Sequence, residues 1–341
     1  MRKTAGIIAA VAIAASALIA APAHADVPTI TAGGSSFSAG MFTTCAANYT
    51  DAKVTYTGSS SGTGRTNYMA GTFDFAGSDG AFAAPSKEKQ PAASDFRYIP
   101  VVGGPIAIVY NLADVPSLRL DATTVGAIFL GQIKTWNDPK IAALNPGAKL
   151  PATAITPEYR SDKSGTNGNF SGYLAKNKVA GWVADQTWTN ATKSTTPAGT
   201  GNASSSGVVQ SLKSTVGSVG YVDLKDAVSG GLKPAALKNA AGQFLLPSAA
   251  AASLFLANQP VAANGFVNID WSKSVAGGYN ASLITYAIVN TGAKRAKGAA
   301  VQSFIKYVLN TCVPANAAKL GYVALSGGQA TTAKALTNLI K

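Results

Sequence analysis

The stretch Thr29-Ile30-Thr31-Ala32-Gly33-Gly34-Ser35-Ser36-Phe37 decides how this chain folds. Its β-branched start predicts a short strand, its glycines and serines predict a loop, and residues 41–49 then read as a helix. The first N–H groups of a helix lack partners inside the helix and carry partial positive charge. A strand, a Gly/Ser loop and a helix in this order are therefore typical of an anion site.

Two later stretches repeat this design. A predicted strand at 54–56 leads into the Gly/Ser/Thr loop 58–64, and a strand at 152–159 leads through Arg160 to the loop 164–166. A single loop of this kind is more often ordinary helix capping. Three of them in one chain, with an arginine ahead of the third, favour a site for an oxyanion.

Short β-rich segments alternate with helical ones along the chain, which predicts α/β architecture. We expect extended segments at 98–102 and 106–111, a strand at 283–290 and a helix at 298–310. In open α/β sheets the ligand loops lie at the carboxyl ends of the strands, so we expect the site there.

The amino terminus reads as a secretory signal. Arg2 and Lys3 precede an apolar run, and Ala23-His24-Ala25 matches an A-x-A cleavage site. Cleavage would remove residues 1–25 from the 341, lower the formal net charge from +13 to +11 and remove the single histidine. The mature chain, 26–341, would then lack Ser-His-Asp and Cys-His catalysis and His-containing zinc sites.

No later apolar run reaches the ~18 residues that a membrane span needs, so we expect an exported protein. Its expected location is the periplasm, the cell wall or the medium. Cys45 lies too far from the cleavage site to carry a lipid, and a lipid anchor is not expected.

The basic composition does not by itself indicate nucleic acid. Readout of bases relies on arginine, and after residue 25 the chain has only five arginines and no run of five or six lysines. We expect no nucleic-acid partner. A solvated basic surface is the favoured interpretation, and a field that steers anions is the alternative.

Cys45 and Cys312 are the only cysteines, and neither lies in a C-x-x-C motif. In an oxidising compartment two such cysteines favour one disulfide. Two buried free thiols are the alternative.

Residues 58–62 match the G-x-S-x-G pattern of hydrolases, with Ser60 as the nucleophile. A mature chain without histidine has no usual base for that serine, and no Walker A loop is found. We therefore expect a binding protein and no enzyme, with no cofactor and no metal.

The motifs taken together resemble the phosphate-binding protein of Pst-type phosphate ABC transporters, in the periplasmic-binding-protein superfamily. The resemblance covers about residues 28 to 330. It is carried by the stretches 30–37, 56–64, 74–79, 128–138, 160–166 and 217–222.

The resemblance implies a type II fold of two α/β lobes, with phosphate bound in the cleft between them. The phosphate ligands that it implies are Ser36, Phe37, Ser61, Asp79, Arg160, Ser164, Gly165 and Thr166. Asp162 resembles the acid that pairs with the arginine and fixes its geometry. The run of serines leaves the second loop uncertain by one residue, with Ser60 as the alternative to Ser61.

Asp79 would be the one acceptor in this implied set. A carboxylate beside an anion is unfavourable unless the ligand brings a proton, which mono- and dibasic phosphate do and sulfate at neutral pH does not. Asp79 would therefore repel sulfate. Capping of a strand end is the alternative role for this residue.

The resemblance also implies the lobe boundaries and one partner. Lobe I would comprise 26–110 and 283–341, and lobe II would comprise 111–282, which places both cysteines in lobe I. The closed form would deliver phosphate to membrane ABC permease subunits, and we expect a monomer. A receptor for another tetrahedral oxyanion and an exported phosphohydrolase are the alternatives.

This sequence departs from the family pattern at two charged positions near the loops, Arg65 and Lys163. They could add positive potential at the mouth of the cleft. We expect instead that solvent surrounds both side chains.

Overall fold

The computed structural model describes residues 27–341. The expected signal segment 1–25, with His24, lies outside them. Within 27–341 no helix is long and apolar enough to cross a membrane.

The first strand, β1 (Thr29–Ser35), lies between two parallel neighbours, β2 and β3. Its strand conformation continues through the two glycines to Ser35, beyond the short strand that the sequence predicts. The reason is close packing at Gly34, whose φ is +130°. A Cβ there would lie 3.1 Å from the Cα of Gly64 and would meet the carbonyl of Gly77, so only glycine fits.

The remaining elements alternate strands and helices as the α/β prediction requires. The strands are β2 (Lys53–Ser59), β3 (Phe75–Ser78), β4 (Phe96–Tyr110), β5 (Arg119–Leu120), β6 (Thr156–Arg160), β7 (Thr200–Asn202), β8 (Ser218–Asp223), β9 (Lys233–Pro234), β10 (Ala236–Lys238), β11 (Phe244–Leu245), β12 (Ser282–Asn290) and β13 (Val323–Ala324). The helices are α1 (Ala39–Ala47), α2 (Ser61–Met69), α3 (Ala122–Phe129), α4 (Pro139–Leu144), α5 (Gly165–Lys176), α6 (Trp188–Thr192), α7 (Ser204–Ser214), α8 (Leu224–Ser229), α9 (Ala249–Leu256), α10 (Gly298–Tyr307), α11 (Val313–Asn316) and α12 (Gly327–Thr337), with a π-helical segment at Val308–Cys312 and a 3₁₀ turn at Ala318–Leu320.

The larger sheet runs in the order β2-β1-β3-β12-β4-β8-β6-β7, with β13 and β9 also pairing with β4. The sequence predicts two extended segments at 98–102 and 106–111, and the structure joins them in the single strand β4. Residues 96–105 of β4 pair with β12, and residues 106–110 pair with β8. We call β2, β1, β3 and β12 with their helices the β1 side, and β8, β6 and β7 with theirs the β6 side.

The carboxyl ends of the parallel strands position the candidate site. On the β1 side, β1, β2 and β3 end at Ser35, Ser59 and Ser78, and on the β6 side β6 ends at Arg160. Helices α2 and α5 start just after these ends. Each is capped by a serine hydroxyl that accepts a backbone N–H: Ser60 from Thr63, and Ser164 from Asn167.

An aromatic cluster supports the β6 side of the site. The Trp188 ring stacks on Tyr159 and on Tyr221, with centroids 4.9 and 5.5 Å apart. The hydroxyl of Tyr221 accepts a hydrogen bond from the backbone N–H of Arg160 at 3.0 Å and donates to the side chain of Asn167. The strand end that carries Arg160 is thereby fixed to buried rings.

Cys45 of α1 and Cys312 of the π-helical segment form a disulfide, which confirms the predicted pairing. Both residues are buried. The bond joins positions 267 residues apart and links the π-helical segment to α1, the first helix of the β1 side.

Candidate functional site: an oxyanion cradle between strand ends

The three predicted loops meet at one place. Gly165, at the start of α5, packs so tightly on the β1 side that a Cβ there would lie 2.8 Å from the Cβ of Asp79 and 2.9 Å from its Oδ2, and would meet the hydroxyl of Ser61. Ser60 is used as the cap of α2, so Ser61 is the serine of the second loop that lies beside Asp79. The start of α5 and the carboxylate of Asp79 are therefore neighbours across the two sides.

Arg160 is buried and reaches both sides of the cradle. Its guanidinium forms a two-pronged hydrogen-bonded pair with Asp162, Nε to Oδ1 at 2.7 Å and Nη2 to Oδ2 at 2.6 Å. It also donates to the hydroxyl of Ser36 at 3.0 Å and to the carbonyl of Ser59 at 3.2 Å. The planar pairing with Asp162 fixes the guanidinium so that its remaining N–H groups point toward the first two loops.

Ser36 connects to a residue that the sequence analysis missed. Its hydroxyl lies 2.9 Å from the hydroxyl of Ser205 and accepts the backbone N–H of Ser205 at 3.2 Å. Ser205 is buried in the first turn of α7, and Arg160 also reaches it at 3.4 Å. The signal was present, because β7 is followed by a run of serines that opens a helix, as in the other three loops.

Phe37 places its backbone at the start of α1 by anchoring its ring. The ring packs edge-on against Tyr322 with centroids 5.9 Å apart, and the Phe37 carbonyl accepts the Tyr322 hydroxyl at 2.6 Å. The packed ring fixes the position of this peptide. Because the carbonyl is bonded to Tyr322, the backbone N–H of Phe37 is the group that a ligand could reach.

Asp79 is buried and accepts hydroxyl hydrogen bonds on both carboxylate oxygens. Ser35 and Thr285 each donate to Oδ1 at 2.6 Å, and Ser61 donates to Oδ2 at 3.4 Å. Burial raises the pKa of Asp79, while these hydroxyls and the charge of Arg160 act to lower it. Oδ1 is thus held by two short contacts, and Oδ2 keeps the weaker one.

Sequence reasoning missed both donors to Oδ1. Ser35 stands next to Ser36 at the end of β1. Successive side chains of a strand point to opposite faces, so Ser35 could have been expected to face away from Ser36. Thr285 lies 206 residues from Asp79 on β12, and nothing local marks it.

The start of α5 supplies further donors. The Ser164 backbone N–H is committed to the carbonyl of Gln186 at 3.1 Å, so a ligand would meet the Ser164 hydroxyl hydrogen. The Thr166 hydroxyl is buried and has no hydrogen-bond partner within residues 27–341. A buried hydroxyl without a partner is unfavourable, and this one lies in the first turn of α5, next to Gly165, which packs on Asp79.

One expectation about the charged departures was wrong and the other only partly right. Arg65 is not solvated: its side chain is 0% exposed and pairs with Glu88 at 2.8 Å. Lys163 is 37% exposed and contacts the same carboxylate at 3.1 Å. Arg65 is buried because Glu88 and Ser78 supply the acceptors that its guanidinium needs in the interior.

The chemistry of the cradle follows from these contacts. One guanidinium, several hydroxyls and the N-terminal turns of α1, α2 and α5 offer donors, and Asp79 offers an acceptor. Such a set of donors with one acceptor has the chemistry that suits a tetrahedral oxyanion carrying at least one proton.

Comparison with known proteins agrees with this chemistry. The model of the PBP superfamily domain matches residues 20–311. The phosphate-binding protein PstS 2 of Mycobacterium tuberculosis is 38% identical over 193 residues, which is 55% of this chain and 50% of the relative. PstS of Xylella fastidiosa is 35% identical over 254 residues, 72% of this chain and 64% of the relative. The chain thus spans about half the length of the first of these relatives.

Solved structures resemble about 90% of the chain. A periplasmic phosphate-binding protein named PfluDING, bound with phosphate, superposes with a TM-score of 0.72 at 22% identity, over 90% of this chain and 93% of that one. A phosphate-binding protein of Stenotrophomonas maltophilia gives 0.69 at 19% identity over the same shares. The predicted α/β fold, of the type II periplasmic-binding-protein kind, is confirmed.

Proposed function

The chain belongs to the PBP superfamily, and we propose from this premise that it binds inorganic phosphate outside the cytoplasm and delivers it to a membrane ABC permease. Relatives that are named as phosphate-binding proteins support the ligand. A solved relative described as periplasmic supports the location.

The observation that carries the proposal is a buried carboxylate in a cradle of donors. Asp79 lies with Ser61 and Gly165 across from Arg160, and burial raises its pKa. A ligand that brings its own proton, such as mono- or dibasic phosphate, satisfies Asp79, and sulfate does not. In this proposal Ser36, Phe37, Ser61, Arg160, Ser164, Gly165 and Thr166 donate to the other phosphate oxygens.

We also propose that the two sides move as lobes, residues 26–110 with 283–341 and residues 111–282. Hydrogen bonds between the strand ends support a closed arrangement around the ligand, such as Arg160 to Ser36 and the N–H of Gly62 to the carbonyl of Lys163 at 2.9 Å. Within 111–282, the segment 249–281 contacts lobe I, because Leu256 and Gln259 accept from Gln329 of α12. Hinge closure of this kind would shield phosphate from water.

Calorimetric titration with phosphate, after bound ligand is removed by unfolding and refolding, tests the ligand. Sulfate, arsenate and molybdate serve as competitors. Tight phosphate binding with competition by arsenate and little by sulfate is expected. An absence of phosphate binding by the refolded, folded-state-verified protein would reject the proposal.

Two further measurements test the rest of the proposal. Hydrolysis of a chromogenic phosphate ester, with and without added divalent metals, is expected to be absent, and turnover would favour the phosphohydrolase. Phosphate uptake by cells that lack their own binding protein is expected to recover with this chain. Binding without recovery of uptake would leave a phosphate receptor and reject delivery.

A further inference from the structure

A network of polar side chains bridges the two sides beside the cradle. Arg65 of α2 donates to Glu88 from Nε at 2.8 Å and from Nη2 at 3.3 Å, and to the hydroxyl of Ser78 at 3.0 Å. These three residues belong to the β1 side. Arg65 Nη2 also donates across to the side-chain oxygen of Gln186 at 2.8 Å, on the β6 side.

Lys163 makes the second bridge. Its Nζ lies 3.1 Å from Glu88 Oε2, and its stem covers Gly62, where a Cβ would lie 2.7 Å from the Lys163 Cβ. Glu88 also accepts the backbone N–H of Ala83 at 2.8 Å. The carboxylate of Glu88 is thus held on the β1 side by Arg65 and Ala83, and it receives Lys163 only when the sides are together.

Gln186 links the network to the start of α5. Its side-chain nitrogen donates to the carbonyl of Ala81 at 3.0 Å, which is a further contact across the sides. Its backbone carbonyl accepts from the N–H of Ser164 and from the side chain of Asn167. A displacement of Gln186 would therefore also displace the turn at 164–166, which carries the proposed phosphate donors.

The network lies at the edge of the packed contact between the two sides and borders open space. A cavity of about 300 Å³ lies next to it, lined by Lys163, Gln186, Phe82, Phe266 and Trp271 among others. Lys163 and Gln186 therefore lie where the contact between the sides meets open space.

We propose that Lys163 and Gln186 are positioning residues that close a clamp on Arg65 and Glu88 and so slow the release of the bound anion. The proposal rests on the proposed phosphate function. Neither residue is assigned contact with phosphate. On opening, Arg65 keeps Glu88 and Ser78, while Lys163 and Gln186 return to water, so the two bridges form only on closure.

The first test measures phosphate exchange. Lys163→Met keeps the stem over Gly62 and removes the charge, and Gln186→Met keeps the shape and removes both hydrogen bonds. Dissociation of radiolabelled phosphate, chased with unlabelled phosphate, is expected to be about fivefold faster for the first variant and about tenfold faster for the second. Association is expected to stay within about twofold, because the open form is unchanged.

Two control variants distinguish the loss of the clamp from a change in net charge and from a general destabilisation of the protein. Lys140→Met removes one exposed charge on α4 and is expected to leave dissociation unchanged. Lys163→Arg retains a cation that reaches Glu88 and is expected to restore slow dissociation. Equal dissociation rates for wild type, Lys163→Met and Gln186→Met would overturn the clamp.

A second readout does not depend on phosphate. Spin labels at Lys53→Cys and Lys149→Cys, two exposed positions on opposite sides, report the separation of the sides in ligand-free protein. The Lys163→Met/Gln186→Met double variant is expected to shift this distance distribution to larger values by reducing its short-distance share, which comes from molecules that close without ligand, while the open form keeps its distance. If wild type failed to bind phosphate but the distance distribution of the double variant still shifted, the phosphate function would be rejected and the clamp would be supported. An unchanged distribution would reject the clamp.

Discussion

At the scale of single residues, we propose that the carboxylate of Asp79 selects among similar anions. Its Oδ1 is occupied by the hydroxyls of Ser35 and Thr285, so Oδ2 is the oxygen that a ligand proton would reach. Burial raises the pKa of Asp79, so its ionised form is held at a cost. A ligand that donates a proton to Oδ2 recovers part of that cost.

Exclusion of sulfate is expected to depend on pH with a definite sign. As pH falls through the raised pKa of Asp79, the carboxyl takes up a proton and becomes a donor that sulfate can accept. Competition by sulfate is therefore expected to be stronger at pH 5 than at pH 8. Calorimetric competition at both pH values measures this.

The Asp79→Asn variant is the matched control. Its side chain offers a donor at every pH, so its competition by sulfate should be strong and nearly independent of pH. Wild-type competition that is equal at pH 8 and pH 5 would contradict the role given to this carboxylate.

Thr285 is expected to stabilise the ionised Asp79. Thr285→Val removes a hydroxyl from a buried carboxylate without a change in shape, at a cost of about 1–2 kcal/mol in the free energy of unfolding. The cost should be larger at pH 8 than at pH 5, because the hydroxyl mainly stabilises the ionised form. Urea unfolding measures it, with Thr331→Val at an exposed position of α12 as the control, and a pH-independent loss would contradict this role of Thr285.

At the scale of elements, the cradle is built from the ends of strands and the starts of helices. The sequence predicts the positions of these loops well, because glycine and serine between a β-rich run and a helical stretch mark the junction and the N-cap of the helix. The contacts between loops are set by tertiary packing and leave no local signal. The loops that carry Ser36, Ser61 and Arg160 could therefore be located in advance, and the family resemblance then named the residues. Thr285 has no local signal, whereas the serine run that contains Ser205 was a signal that was not used.

Gly165 tests the close approach of α5 to the β1 side. Gly165→Ala would place its Cβ against the Ser61 hydroxyl and 2.9 Å from Asp79 Oδ2. Overpacking at such a junction costs about 2 kcal/mol, close to thirtyfold in phosphate affinity. The ligand-free protein should unfold as wild type does, since the sides can separate there.

Gly328→Ala is the control for that substitution. A Cβ at Gly328 meets nothing within 4 Å, so affinity and unfolding should both match wild type. Equal affinities for Gly165→Ala and Gly328→Ala would show that the sides do not come as close in solution.

At the scale of the whole molecule, one sheet spans both sides, and β4 belongs to both. The alternation of elements was enough to predict the α/β class. The joining of 98–102 and 106–111 into one strand was not predicted, because Gly103, Gly104 and Pro105 read as a break. The pairing of β4 with β12 and β8 overrides that local preference. Arg65 was misjudged for a similar reason, since its acceptor Glu88 lies in a loop with no helical or strand periodicity.

The disulfide is expected to stabilise the molecule without touching the site. Replacing Cys45 and Cys312 together with alanine frees a loop of 267 residues, for which chain entropy predicts a loss of about 5 kcal/mol. Thermal unfolding of the variant should start at a markedly lower temperature, and phosphate affinity should stay as in wild type. Identical melting of the two proteins would contradict this expectation.

The aromatic cluster under Arg160 contains a tryptophan whose fluorescence can be measured. Trp188 stacks on Tyr221, and Tyr221 holds the backbone of Arg160. An indole reports the electric field around it through the colour and yield of its emission. An anion that arrived at Arg160 would change that field about two contacts away, so the emission of Trp188 is expected to report occupancy in ordinary ultraviolet light and without a dye.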